Sequence, residues 1–105
     1  MYLLAKDKDQ KCKALRANKI AAITAFKTSE ESDEFGIMIE TDWGGYLFLD
    51  RIYDDWSEAK EDMLMFIFGI EELQEQGQAF TTAEGAIKYA REKLDRVKDG
   101  SGKTV

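Results

Sequence analysis

The segment over residues 56–76, WSEAKEDMLMFIFGIEELQEQ, is the most apolar stretch of the chain and constrains the fold most. Helix formers dominate both of its flanks and β-branched residues are scarce, which favours a helix over a buried strand. Its apolar residues recur at alternating spacings of three and four, so they fall on one helical stripe: Trp56, Ala59, Met63, Phe66, Ile70 and Leu73. We therefore expect a helix over 56–76 that packs across a sheet.

The same helix carries a second, mixed face. Leu64, Met65 and Phe68 lie on it together with several charged residues, and a single sheet-facing stripe does not bury them. Two alternatives remain for what packs on this mixed face. One is a second helix of the same chain, and the other is a subunit or partner, because contiguous exposed apolar patches mark binding sites. The second alternative predicts self-association through Leu64, Met65 and Phe68, most simply as a two-fold homodimer.

Alternating apolar and polar residues before this helix indicate antiparallel strands. Residues 2–5 and 11–17 predict a first hairpin, and residues 19–28 predict a third strand. The clearest hairpin spans 35–52 and turns at a Gly-Gly pair, which suits the positive φ angles of a tight turn. Cys12 is expected to be a small buried packing residue rather than a reactive thiol.

Capping residues predict where the helices begin and end. Asp55, with Glu58 three residues later, indicates the start of the first helix, and Gly77 indicates its end. Thr81 and Glu84 have capping-box spacing and open a second helix over 82–98, whose stripe is rich in alanine. The chain is thus predicted to be a single α+β domain over residues 1–98. It combines an antiparallel sheet of four or five strands with two C-terminal helices packed on it, followed by a disordered tail over 99–105.

The residue inventory argues against an enzyme. The chain has no histidine and one cysteine, which removes the commonest general base, the serine triad and the usual zinc ligands. The run GSGKT over 100–104 lacks the preceding strand and following helix of a phosphate-binding loop. We expect no cofactor and no metal. The absence of a membrane-span pattern and of signal-peptide features predicts a cytoplasmic protein.

Charge is segregated along the chain. Residues 1–27 carry a net charge of +5, residues 28–75 carry −13, and residues 76–105 carry +2. Either these segments neutralise one another inside the fold, or the acidic middle forms a face that docks on a basic partner protein. The second interpretation predicts these partner-binding acids: Glu30, Glu31, Asp33, Glu34, Asp54, Asp55, Glu61 and Asp62.

Trp43 precedes the glycine pair of the main hairpin turn. A tryptophan in such a turn either folds back onto the sheet or stays exposed as a binding anchor, since Trp is enriched at interaction hot spots. The sequence leaves both alternatives open, and Trp43 is included among the predicted partner-binding residues.

The order of these segments resembles that of small uncharacterised proteins of bacteriophages and mobile elements. The resemblance covers residues 1–76 and lies in a basic strand pair ending LRANKIAAI, an acidic loop, a hairpin with IETDWGGYLFLD and a helix opening DDWSEAKEDM. It is a resemblance of architecture and includes no catalytic residue. It implies a host-takeover or anti-defence role, including anti-CRISPR-like inhibition of a host protein that handles nucleic acid.

The leading hypothesis is a non-enzymatic, acidic protein-binding module. One alternative is a structural or assembly protein that self-associates through the helix at 56–76. A third is a small nucleic-acid binder that uses the basic N-terminal strands, which the negative net charge of the chain disfavours.

Overall fold

The computed structural model describes the backbone of residues 1–103 and the side chains of residues 1–96. Within these residues the chain forms one α+β domain, which confirms the predicted fold class. Its elements are β1 (Tyr2–Lys6), β2 (Cys12–Arg16), a 3-10 turn (Ala17–Lys19), β3 (Ile20–Lys27), β4 (Phe35–Thr41), β5 (Tyr46–Phe48), α1 (Trp56–Glu75), β6 (Phe80–Thr82) and α2 (Ala83–Lys103). The disordered tail predicted over 99–105 lies outside the residues whose side chains are described and stays a prediction.

The strands form one sheet in the order β2-β1-β5-β4-β3, with β6 paired to β1. Neighbouring strands are antiparallel except β6, which runs parallel to β1. Both predicted hairpins are present, but β5 ends at Phe48 although the sequence predicts a strand up to residue 52. The chain leaves the sheet after Phe48 and rejoins β4 at Tyr53, which bridges to Phe35.

The sheet is strongly coiled. Its two edge strands, β2 and β3, are joined only by the 3-10 turn, so Arg16 and Ile20 are four residues apart. Four residues reach at most about 14 Å. In a flat sheet, four strand spacings of about 4.8 Å would hold the two edges about 19 Å apart. The short connection therefore requires a curled sheet. The helices pack against it, α1 on β3 and β4, and α2 on β1 and β6.

The first helix begins and ends where the sequence predicts. Asp55 is the N-cap residue, and its carboxylate accepts a hydrogen bond from the backbone N–H of Ser57 at 3.1 Å. The capping box is not completed, because Glu58 pairs with Arg51 at 2.6 Å instead. Gly77 has a φ of 76°, which an L side chain rarely adopts, and it terminates the helix as expected.

The second helix begins at Ala83, one residue later than predicted. The hydroxyl of Thr82, not that of Thr81, accepts the backbone N–H of Gly85 at 3.0 Å. Both threonines belong to β6, a strand that the sequence analysis did not predict. Pairing of β6 with β1 holds Thr82 in extended backbone, which is the conformation that an N-cap residue requires.

The core lies between the sheet and the helices. Four of the six residues on the predicted stripe of α1 are buried, whereas Met63 is half-buried and Trp56 is 43% exposed. The sheet contributes Leu3, Leu15, Ile37, Ile39 and Leu47. Cys12 is exposed, so its predicted burial is wrong: it is the first residue of the edge strand β2 and lies opposite Lys6. Neither helix is long and apolar enough, within the described residues, to cross a membrane.

Candidate protein-interaction surface

Six of the predicted partner-binding acids come together at one end of the sheet. Four lie in the turn between β3 and β4, and two lie in the segment before α1. The two segments meet because Phe35 and Tyr53 exchange two backbone hydrogen bonds of 2.8 Å. We call this surface the acidic end and define it by Glu30, Glu31, Asp33, Glu34, Asp54 and Asp55.

The carboxylates of the acidic end face solvent. All six residues are exposed, and none takes part in a salt bridge among the side chains of residues 1–96. Lys27 ends β3 beside the same turn and makes no salt bridge to it within that range. Internal neutralisation, the first interpretation of the charge pattern, therefore does not account for these six acids.

An aromatic residue lies beside these acids. Trp56, the first residue of α1, packs its ring on that of Phe35 with centroids 5.4 Å apart, yet it remains 43% exposed. Ile52, in the segment that leads to α1, is 55% exposed. Apolar and aromatic side chains surrounded by polar ones are typical of an interface core and its rim. The acidic end can thus attract a partner over a distance through its carboxylates, and Trp56 and Ile52 beside it can make close contact.

The sequence analysis did not assign Trp56 and Ile52 to a surface. It placed Trp56 on the buried stripe, although this tryptophan precedes Ala59, the first buried residue of α1. Its position in the first turn, directly after two aspartates, is the signal that could have placed it at the edge of the core. Ile52 was assigned to the end of a strand that stops at Phe48 in the structure.

The two remaining predicted acids lie elsewhere, on α1. Asp62 is fully buried, so it is not available to a partner as the sequence predicts. Its carboxylate accepts hydrogen bonds from the Tyr53 hydroxyl at 2.6 Å, from Arg51 at 3.0 Å and from Arg91. Glu61 is exposed but pairs with the same Arg91 at 2.9 Å. These contacts join α1 to α2 and to the segment before α1.

Helical periodicity could have revealed the burial of Asp62. The residue lies three positions after Ala59 and four before Phe66, which places it on the buried stripe itself. A carboxylate in that position requires cationic partners, because burying an unpaired charge is costly. Arg51 and Arg91 meet this need from distant parts of the chain.

Two residues that contact Asp62 have raised pKa values. Burial, together with the hydrogen bond to Asp62, raises the pKa of the Tyr53 hydroxyl far above its usual value. The hydrogen bond to Asp62 also raises the pKa of Arg91. A groove of 280 Å³ lies beside the cluster between residues 49–53 and α2. Its rim balances Arg51, Lys88 and Arg91 against Glu84, Glu92 and Asp95, so it favours neither an anion nor a cation.

Trp43 is 67% exposed, which decides between the two alternatives for this residue. It lies in the turn after β4, whereas the acidic end precedes β4. At about 3.4 Å per residue, the seven residues of β4 separate them by roughly 20 Å. Trp43 and the acidic end are therefore separate surfaces, although the sequence analysis grouped them as one.

The predicted self-association surface is largely covered. Leu64 is 56% exposed, but Met65 packs against the core. Phe68 is half-buried, and the ammonium of Lys93 on α2 lies 5.9 Å from its ring centroid. A helix of the same chain thus meets part of the mixed face, as the first alternative predicts.

The basic N-terminal strands are partly neutralised. Three of their lysines form salt bridges of 2.9 to 3.7 Å, namely Lys6 with Asp50, Lys13 with Asp7 and Lys19 with Asp42. Two backbone N–H groups and Lys13 hold the pKa of the Asp7 carboxyl below its usual range. No group of three or more possible metal ligands occurs in the part of the chain that is described.

Comparison with protein-family models, curated protein sequences and solved structures finds no match to this chain.

Proposed function

We propose that this chain is a non-enzymatic protein-binding module whose acidic end docks on a basic partner protein. One observation carries the proposal: six exposed carboxylates lie in two segments that meet beside Phe35 and Trp56, and they take no part in the salt bridges of residues 1–96. Like charges held together repel one another and oppose folding. A partner that supplies the opposite charge gives this arrangement a use.

The two kinds of side chain have different tasks in the proposed complex. Carboxylates at the rim attract a basic surface over a distance and mainly increase the association rate. Trp56 and Ile52 are exposed enough to enter a pocket of the partner, and contacts of this kind set the dissociation rate. Binding is therefore expected to be fast, salt-dependent and anchored by an aromatic residue.

The resemblance to bacteriophage proteins supports a narrower form of the proposal. A host protein that handles nucleic acid presents a basic groove for phosphates. A fixed group of carboxylates can occupy such a groove, so the proposed role is that of a cytoplasmic inhibitor. Self-association through α1 and nucleic-acid binding by the N-terminal strands have less support, because their side chains are partly covered or paired.

The test begins with an affinity pull-down from the source cell, followed by stopped-flow kinetics with the protein recovered. We compare the double variant Glu30→Lys/Glu31→Lys with the matched control Glu71→Lys/Glu75→Lys, which changes exposed residues near the other end of α1. Both variants change the net charge equally. The acidic-end variant should associate at least about tenfold more slowly, and the control much less so.

Salt provides a second measurement. The screening length falls from about 10 Å at 0.1 M to about 3 Å at 1 M salt, so wild-type association should slow steeply over this range. The association rate of the acidic-end variant should depend less on salt concentration. Equal slowing by both variants would mean that only net charge matters. A lower melting temperature with unchanged binding would show instead that the acids serve stability.

A further inference from the structure

β3 is the longest strand of the sheet and has one free edge. Its eight residues, IAAITAFK, pair only with β4, and none of them is buried. Edge strands are usually protected by proline, by a charge along the strand, by a β-bulge or by a covering loop. β3 has no proline, and its one charged residue, Lys27, lies at its end. Its one register shift lies between Ile20 and Ala22, so residues 22–27 form a regular edge. A long apolar edge of this kind is a template for pairing with another strand.

The pairing with β4 shows which backbone groups are free. The N–H of Thr28 donates to the carbonyl of Glu34 at 3.0 Å, and these residues are opposite each other in the register of the two strands. Since backbone groups alternate in direction along a strand, the even-numbered residues from 22 to 28 face β4. Ile23, Ala25 and Lys27 therefore direct their N–H and C=O groups outward. These outward groups make no turn, loop or side-chain hydrogen bond within the described residues.

We propose that two copies of this chain pair edge to edge through β3, antiparallel, about a two-fold axis at Thr24. This register places the outward-directed residues Ile23 and Ala25 opposite each other, so that each pair exchanges two backbone hydrogen bonds. It also places the small Ala22 opposite the large Phe26 on the other face of the sheet. Thr24 meets its own copy, a pairing that is favourable across antiparallel strands.

Charge favours a second copy as the occupant. In this register Lys19, the residue just before β3, lies beside the residues that follow β3 in the second copy, Ser29 and Glu30. The side chain of Lys19 stays 51% exposed although it pairs with Asp42. Opposite charges thus meet at both ends of the paired strands. In the register centred on Ala25, Lys27 would face the half-buried Ile23, whereas in the proposed register it faces the small, exposed Ala21. The strand is therefore complementary to itself in hydrogen bonding, side-chain size and charge.

The dimer is expected to be weak. One pair of strands buries less than the roughly 1,600 Å² of a standard interface, so association belongs in the micromolar to millimolar range. The proposal does not rest on the partner-binding role of the acidic end, although Glu30 lies beside the paired strands, and its test measures mass alone. The full chain has a monomer mass of 12.0 kDa.

The experiment is sedimentation equilibrium from micromolar to millimolar protein. The average mass of the wild-type chain should rise toward twice the monomer mass. Thr24→Lys and Thr24→Glu should each stay monomeric, because two like charges then face each other on the axis. An equimolar mixture of the two variants should dimerise again, because opposite charges then meet. Thr24 is exposed, so both variants should keep the wild-type melting temperature.

Leu64→Lys is the matched control, since it places the same charge on Leu64, an exposed apolar residue of the mixed face of α1. It should leave the dimer intact. Loss of the dimer in Leu64→Lys, with its retention in Thr24→Lys, would overturn the proposal and assign the interface to α1. A wild-type chain that stays monomeric at millimolar concentration would overturn it too, leaving the edge of β3 to an extended segment of another protein.

Discussion

Gly69 is the point of closest approach between the two helices, and its substitution by alanine tests how they pack. A Cβ atom at this position would lie 2.1 Å from the carbonyl oxygen of Ala86 and 2.7 Å from its carbonyl carbon. Both are backbone atoms of α2, so no side-chain rotation can relieve the contact. The helices must move apart by about 1 Å to admit one methyl group.

Two opposing effects set the expected magnitude. Alanine is a better helix former than glycine by about 1 kcal/mol. Overpacking costs about 1–3 kcal/mol, and a gap of 0.5–1 Å elsewhere in the interface forfeits a quarter to a half of each dispersion contact. Because α2 packs through its buried Ala83, Ala86 and Ala90, that loss extends along the helix. We expect a net decrease in the free energy of unfolding of about 2 kcal/mol.

Thermal unfolding followed by circular dichroism measures this change. For a domain of this size, about 2 kcal/mol corresponds to a decrease in Tm of roughly 8–16 °C. The control is Gly77→Ala, where no atom lies within 4 Å, so the loss is limited to the strain of a φ of 76°, roughly 1–2 kcal/mol, and the packing of the two helices is unchanged. Adding Ala86→Gly to Gly69→Ala should not restore stability, because the carbonyl oxygen remains. An unchanged or higher Tm for Gly69→Ala would refute the packing of α1 against α2.

Two further predictions concern the core. Because the folded-state pKa of Tyr53 is raised, the unfolded chain ionises this tyrosine first above about pH 10, and stability falls by about 1.4 kcal/mol per pH unit as pH rises. Denaturant unfolding on either side of pH 10 should show this decrease in the wild type and a smaller one in Tyr53→Phe; equal slopes would contradict it. Phe66→Ala, at a fully buried site, should cost about 3–5 kcal/mol, and Met65→Ala, at a half-buried one, clearly less. Equal losses in a denaturant series would exclude the proposed stripe of α1.

Local signals in the sequence were sufficient for much of the fold. Alternation over residues 35–41 depends on side chains two positions apart, and the cap at Asp55 depends on residues within one turn. The φ of Gly77 is likewise a local property. These features were predicted correctly because neighbouring residues determine them.

Features that depend on distant residues were missed. β6 forms only because β1, nearly eighty residues earlier, offers it an edge, and that pairing selects Thr82 as the cap of α2. The strand predicted up to residue 52 ends early, where Asp50 pairs with Lys6 and Arg51 pairs with Asp62. No periodicity within a short window contains these partners.

The acidic end also depends partly on neighbouring residues and partly on distant ones. Its four residues between β3 and β4 are neighbours in sequence, and their exposure follows from a turn without apolar residues. Asp54 and Asp55 join them only through the bridge between Phe35 and Tyr53. That bridge requires the chain to leave the sheet after β5 and return to it, which the sequence does not signal.

Two sets of carboxylates explain how an acidic middle segment can serve both folding and binding. One set is committed to the fold, since α2 meets Glu61, Asp62 and Glu72 with its cations. The other set, the acidic end, has no such contact among the described side chains. Charge reversal at Glu30 and Glu31 therefore removes neither an ion pair nor the helix cap at Asp55, whereas loss of Asp62 would leave two arginines without their buried partner. Binding can thus be altered without altering stability, and this separation allows the charge-reversal experiment to discriminate between the two interpretations.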